Sequence, residues 1–358
     1  MKSPDLNSCL YEDGFLTSLR RKAAEAKIPL SASLELTHRC NLQCVHCCHA
    51  PNEGIPVGSM KEKPTEFWKD HIDQLVDMGC LYLLITGGEP LLRADFLDIY
   101  RYAKDQGLLV TVFSNATLIN DEHLALFDEL PPHSVEISLY GATAETYESI
   151  TGIPGSYDAC LRGIDLLVSK GVRVFLRSMI LTTNEHEFDE MHAVATRNGL
   201  PFRADFAVFP RFSGDRSPTR YRVDSKSAVA LEMKLPQAKM KHEKSLERER
   251  SRSAKRLYEC SAGRTNLNIS PDGILQPCLM LSNPSADICE EGLSLAWGKI
   301  GKVMDGKLRN PESECNGCEL KPLCNNCPAF SRLDANLEQG KSDYHCALGR
   351  ERLMAING

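Results

Sequence analysis

Between residues 30 and 212 short apolar runs alternate with longer amphipathic stretches. The runs are LSASLELT, LYLLITGG, LLVTVFSN, SVEISLYG, VRVFLRSMI and FRADFAVF. Each is a compact run rich in Val, Ile, Leu and Phe, the pattern of strands buried on both faces. Between the runs the apolar positions take the helical period. In EFWKDHIDQLVDMG, Trp68, Ile72, Leu75 and Val76 fall on one side at i, i+4, i+7 and i+8. Four such stretches stop just before the next run at a glycine, Gly79, Gly107, Gly171 or Gly199, a residue that accepts the left-handed closure of a helix. Six strands alternating with helices predict an α/β fold, a partial (β/α)6 TIM-type barrel with a parallel sheet inside and helices outside. Sites in such folds collect at the C-terminal ends of the strands.

The pattern breaks at residue 213. KMKHEKSLERERSRSAKRLYE is highly charged and predicts a solvated connecting helix without a direct chemical role. From Cys260 on, cysteines and turn signals such as SPDG and SNPS set the spacing, which predicts a small second domain built around metal rather than around a large apolar core. The expected division is an N-terminal extension over 1–29, the barrel over 30–212, a charged linking helical segment over 213–259 and a cysteine-rich domain over 260–358.

The formal net charge of -6 is too mild to recruit nucleic acid or an anionic membrane by bulk electrostatics. No apolar run approaches the length of a membrane span, and MKSPDLNSCLYEDGF lacks the basic-then-apolar order of a signal peptide, so a cytoplasmic location is expected. Against that expectation, fifteen cysteines are many. Disulfides rarely persist in the cytoplasm, so tight cysteine clusters there read as metal ligands or catalytic thiols.

The first cluster lies in THRCNLQCVHCCHA, residues 37 to 50. Cys40, Cys44 and Cys47 form C-x3-C-x2-C at the end of the first predicted strand. Three thiolates on one short loop reach one face of a cubane iron–sulfur cluster and leave its fourth iron open. Zinc is the alternative, although the x3 spacing is unusual for a zinc ribbon.

At this point the chain resembles the radical S-adenosylmethionine (radical SAM) enzymes, whose signature is this loop after a first strand. Further motifs follow in that family's order. His46, ahead of the third cysteine, stands where the family carries an aromatic residue beside the adenine. GGEPLL, with Gly87, Gly88, Glu89 and Pro90, resembles the glycine-rich motif whose backbone holds the methionine amino group. Ser114 and Asn115 end the third strand, where the family places ribose contacts. Ser138 ends the fourth, and Arg177 on the fifth suits a contact to the methionine carboxylate. The resemblance implies that a reduced 4Fe–4S cluster, its open iron chelated by methionine, splits the sulfonium and yields a 5′-deoxyadenosyl radical that takes hydrogen from substrate.

The C-terminal cysteines are similar to the seven-cysteine SPASM extension of the same superfamily, which carries auxiliary 4Fe–4S clusters, typically two. By that resemblance Cys315, Cys318, Cys324 and Cys346 complete one cluster, and Cys260, Cys278 and Cys327 supply three ligands to the other. The spacing before Cys327 is x2 where the family has x3. Cys289 and an open position are both possible as the fourth ligand, and a zinc site is the rival for the domain as a whole. Cys9, Cys48, Cys80 and Cys160 show no partner pattern. His38 and His49 read as shielding or surface residues, and Tyr140, Asp205 and Asp215 as structural ones.

The extension accompanies peptide and protein modification in the family, so the leading expectation is a maturase acting on a peptide or protein. Its electrons would come from an external donor of flavodoxin or ferredoxin type. With only about 30 residues ahead of the first strand, leader recognition would fall to a separate leader-peptide-binding protein or to another surface of the chain. The alternative is haem, tetrapyrrole or other cofactor biosynthesis. A non-enzymatic iron–sulfur carrier or zinc-scaffolded adaptor is the rival from another class.

Overall fold

The computed structural model describes residues 15–49, 62–250 and 255–358; Cys9 lies outside them. Helix α1 (Phe15–Ala26) precedes the first strand. All six expected strands form: β1 (Ser31–Thr37), β2 (Tyr82–Gly87), β3 (Leu109–Ser114), β4 (Ser134–Ser138), β5 (Val174–Met179) and β6 (Phe202–Asp205). Each pairs in parallel with the next. The intervening helices are α2 (Thr65–Asp77), α3 (Phe96–Asp105), α4 (Asp121–Glu129), α5 (Ala144–Thr151), α6 (Ser156–Ser169) and α7 (Phe188–Arg197).

The strand pleat sorts the side chains. Leu34, Leu36, Ile85, Val112, Ile137 and Leu176 join the apolar core with Trp68, Ile72 and Leu75 of α2. The alternate positions Thr86, Phe113, Ser138, Arg177 and Asp205 face the other way and line a cavity. The helix signals hold locally: Gly107 follows α3 with φ +83°, the left-handed closure that a side chain rarely adopts.

The remainder of the chain is α8 (Ser225–Glu232), α9 (Ala238–Arg250), β7 (Asn266–Ile269), β8 (Ile274–Gln276), β9 (Ala286–Asp287), α10 (Ile288–Glu291), α11 (Leu293–Gly306), α12 (Lys321–Cys324), α13 (Pro328–Ala335) and α14 (Asp343–Asn357). β7 pairs in parallel with β1, on the side away from β2, and β8 and β9 continue antiparallel. The sheet order is β6-β5-β4-β3-β2-β1-β7-β8-β9, open at both edges. Leu267, Ile269, Leu275, Trp297 and Ile300 belong to the same buried cluster as the barrel helices. The cysteine-rich segment therefore shares the apolar core, where a domain organised by metal alone was expected.

The charged stretch after residue 213 is docked, not a free connector. On α8, Ala228 and Val229 are buried, and Glu232 takes an ion pair from the buried Arg352 of α14 at 2.7 Å. The buried His242 of α9 lies 3.3 Å from the same carboxylate, and Arg222 pairs with Asp334 at 2.9 Å. A few inward positions are enough to anchor a helix whose composition is otherwise that of a solvated one. No helix among the described residues is long and apolar enough to cross a membrane.

Candidate functional site

The loop after β1 folds over the C-terminal ends of the strands and is held from three sides. Gly88 N donates to Thr37 O at 2.7 Å, and Glu89 N to Arg39 O at 2.9 Å. Gln43 N and Val45 N donate to Thr151 O and Ile150 O, at the end of α5, at 2.8 and 3.0 Å. Asn115 Nδ2 donates to Asn41 Oδ1 at 2.9 Å, while Asn41 Nδ2 donates to Thr117 Oγ1 at 2.8 Å. This framing turns Cys40, Cys44 and Cys47 into one cavity of about 430 Å³.

None of the three forms a disulfide. Burial pushes the Cys40 thiol up to about 11, and burial pushes Cys44 up further, with the neighbouring thiols adding to it. Thiols so placed ionise together only when a cation sits among them, because the thiolate is the metal-binding form. This donor set fits a metal cluster.

His46, Gly87, Gly88, Ser114, Asn115, Ser138 and Arg177 line the same cavity. A Cβ on Gly87 would lie 2.1 Å from Thr37 O, and one on Gly88 2.2 Å from Arg39 O. The glycines thus let the β2 turn and the cysteine loop approach backbone to backbone. Burial lowers the His46 pKa to about 4, so its ring is neutral at pH 7, and it meets the Tyr140 ring edge-on at 4.6 Å. Arg177 pairs with Glu136 of β4, and its guanidinium lies 4.6 Å from the centre of the Phe113 ring.

Glu89 and Pro90 lie behind the cavity wall rather than on it. Glu89 is fully buried and accepts from Asn115 N at 2.7 Å, Ser114 Oγ at 3.0 Å and Leu91 N at 3.1 Å. Burial pushes its carboxyl up to about 7 against these three donors. Glu89 is a positioning residue: it joins the β2 turn to the end of β3. Glu89→Ala strands two buried backbone N–H groups at roughly 1–3 kcal/mol each. Chemical denaturation should show that loss, and Glu89→Gln, which keeps one acceptor oxygen, should recover part of it.

Tyr140 and Asp205, read from sequence as structural, line the cavity together with Met179, Phe209 and Met280. Proximity to predicted strand ends was the only signal for the first two. Met280 arrives from the cysteine-rich segment, two residues after Cys278, which no reading confined to the barrel could find. Asp215 is engaged elsewhere, with Arg211 at 3.0 Å and Ser217. Cys48 lines the cavity too, with its thiol pushed up by burial, whereas Cys80 and Cys160 are buried in the core.

Seven of the remaining thiols gather in two groups. Cys315, Cys318, Cys324 and Cys346 line a second cavity of about 90 Å³. Cys260, Cys278 and Cys327 form the other, where the Cys278 pKa is raised to about 11 by burial first and by Cys260 and Cys327 next. Cys289 stands apart: its sulfur accepts a hydrogen bond from the Lys63 side chain, and a Cβ on Gly273 would lie 3.4 Å from that sulfur.

Residues 34–195 match the Radical SAM superfamily. The AdoMet-dependent heme synthase of Methanosarcina barkeri is 27% identical over 329 residues, which cover 86% of this chain and 93% of that protein. The mycofactocin maturase MftC of Mycolicibacterium smegmatis is 35% identical over 176 residues, 49% of this chain and 44% of that one. The solved structure of native anSMEcpe with bound AdoMet superimposes with a TM-score of 0.69 at 16% identity, over 91% of this chain and 96% of that one, a likeness of fold. Residues 34–195 form a radical SAM domain, and the chain is a radical SAM enzyme. That domain implies a 4Fe–4S cluster and S-adenosylmethionine, and it sets aside the carrier and adaptor readings.

Proposed function

We propose that the enzyme abstracts hydrogen from a tetrapyrrole of the haem pathway. The observation that carries this reading is the extent of the kinship. The match to the M. barkeri heme synthase spans barrel and cysteine-rich segment, whereas the match to MftC covers about half of the chain. The lining supports it: beyond the polar residues of the loop and strand ends, Met179, Val208, Phe209 and Met280 offer an apolar wall to a broad ring.

In this proposal Cys40, Cys44 and Cys47 hold the cluster. His46, Gly87, Gly88, Ser114, Asn115, Ser138 and Arg177 hold the nucleoside and amino-acid parts of S-adenosylmethionine, with Glu89 and Pro90 behind them. When bound, the cluster and cofactor would supply the hydrogen-abstracting chemistry, driven by one electron from a flavodoxin- or ferredoxin-type donor. The walls orient the target C–H bond and keep water from the reacting atoms. Cys315, Cys318, Cys324 and Cys346 hold one auxiliary cluster, and Cys260, Cys278 and Cys327 three corners of another.

The test is an anaerobic turnover assay with an iron tetrapyrrole bearing propionate side chains. Faster 5′-deoxyadenosine release and a mass change in the tetrapyrrole are expected, and neither would appear if the reading were wrong. The second reading, a peptide or protein maturase aided by a separate leader-binding protein, rests on the higher local identity to MftC. It predicts stimulation by a peptide instead.

A further prediction separates the two ends of the chain. A soluble Cys318→Ala variant should keep slow, uncoupled 5′-deoxyadenosine formation while product formation falls to background. Full product formation with one cluster fewer would make that site dispensable.

A further inference from the structure

Three polar side chains ahead of and behind the cysteine loop converge on one point. Glu35 lies on β1, His38 just after it, and His49 directly after Cys48. Glu35 Oε1 is 3.2 Å from His49 Nε2 and 3.6 Å from His38 Nε2, and one ligand atom from each residue lies within 4.8 Å of the other two. The two imidazoles face each other at 4.6 Å, tilted by 33°, and the edge of Phe212 backs His49 at 4.9 Å. Glu35 is 3% exposed, and its other oxygen accepts from Nδ2 of the buried Asn268 on β7 at 2.8 Å.

Hydrogen bonding leaves this arrangement incomplete. At 3.6 Å the His38 contact is too long to be a hydrogen bond. Glu35 Oε1 and His38 Nε2 are both shielded from water without a completed hydrogen bond. Two imidazole nitrogens and a carboxylate oxygen at these separations suit a shared ion at roughly 2.0–2.2 Å from each. An amide fixing the far oxygen of the carboxylate is the outer support that metal-binding carboxylates carry.

We propose that Glu35, His38 and His49 hold a mononuclear divalent transition ion, zinc or ferrous iron, beside the cluster loop. Two-histidine, one-carboxylate sets take either ion and leave further coordination positions open. The ion ties residue 38, ahead of Cys40, to residue 49, behind Cys48, and both to β1. It closes the base of the loop independently of the three thiols and of which substrate the enzyme takes.

The test counts metal and acid-labile sulfide in the anaerobically reconstituted holoenzyme. Cubane clusters contribute iron and sulfide in equal number, whereas a mononuclear ion adds metal without sulfide. The expected result is one equivalent of zinc, or of iron in excess of sulfide, in the wild type. That equivalent should vanish from a His38→Ala/His49→Ala double variant whose sulfide content is unchanged, and the element found identifies the ion. If the double variant loses sulfide as well, Glu35→Gln decides alone. It keeps the shape of the side chain and should weaken binding of Co²⁺, added as an optical probe, at least about tenfold. A wild type with no zinc and with iron equal to sulfide overturns the site, as does an extra equivalent that survives in both the double variant and Glu35→Gln.

Discussion

Replacing Cys40, Cys44 and Cys47 together with alanine should reduce 5′-deoxyadenosine formation to background while iron remains bound at the C-terminal end. The three sulfurs share one cavity and one loop, and that loop is pinned by backbone hydrogen bonds from the β2 turn and from α5. The pins do not involve the thiols, so the variant should fold; the loss should be chemical. The second group of cysteines, around Cys315 and Cys346, lines a different cavity and should keep its metal. Anaerobic iron and sulfide analysis, paired with chromatography of the cleavage products, reads both ends at once. Residual 5′-deoxyadenosine in the triple variant would remove this loop from the chemistry.

The barrel was legible because its strands are buried on both faces and bounded by helix-closing glycines, so that period and punctuation agree. Trp68, Ile72 and Leu75 were found by helical spacing and are buried as expected. The C-terminal segment was harder to read. β7 is only NLNI, four residues set in a stretch whose visible rhythm is cysteine spacing, and its place beside β1 is a long-range pairing that no local pattern encodes. The docking of α8 was hidden in the same way, since the partner of Glu232 is Arg352 on α14, far along the chain, and no local pattern encodes that pairing. In the site, the cysteines, glycines, Ser114, Asn115, Ser138 and Arg177 carried a recognisable order. Glu89 was placed one layer too far forward, because sequence shows that a carboxylate follows two glycines but not which way it turns. Its three donors come from residues on two different strand ends.

Gly88→Val should remove both S-adenosylmethionine binding and the loop cluster. If the glycine pair served only to hold the methionine amino group, added bulk would block the cofactor and spare the iron. The structure changes that expectation. A Cβ at Gly88 would stand 2.2 Å from Arg39 O and 2.7 Å from both Arg39 C and His38 O, all of them backbone atoms of the loop that carries Cys40. Backbone cannot swing aside as the tip of a side chain can. The loop must move away, and with it go the bonds from Gly88 N to Thr37 O and from Glu89 N to Arg39 O. Overpacking of this kind costs typically about 1–3 kcal/mol, here concentrated on the segment that aims the thiols. Gly107→Ala is the control. Its backbone has φ +83° and a Cβ there meets nothing within 4 Å, so it should cost about 1–2 kcal/mol of stability through backbone strain alone and leave iron content intact. Gly88→Val should match the triple cysteine variant in iron and sulfide and bind S-adenosylmethionine no better than that variant. A Gly88→Val protein with full iron and lost cofactor affinity would show that the loop yields and that Gly88 serves the cofactor alone. Unchanged affinity would take the glycine pair out of the site.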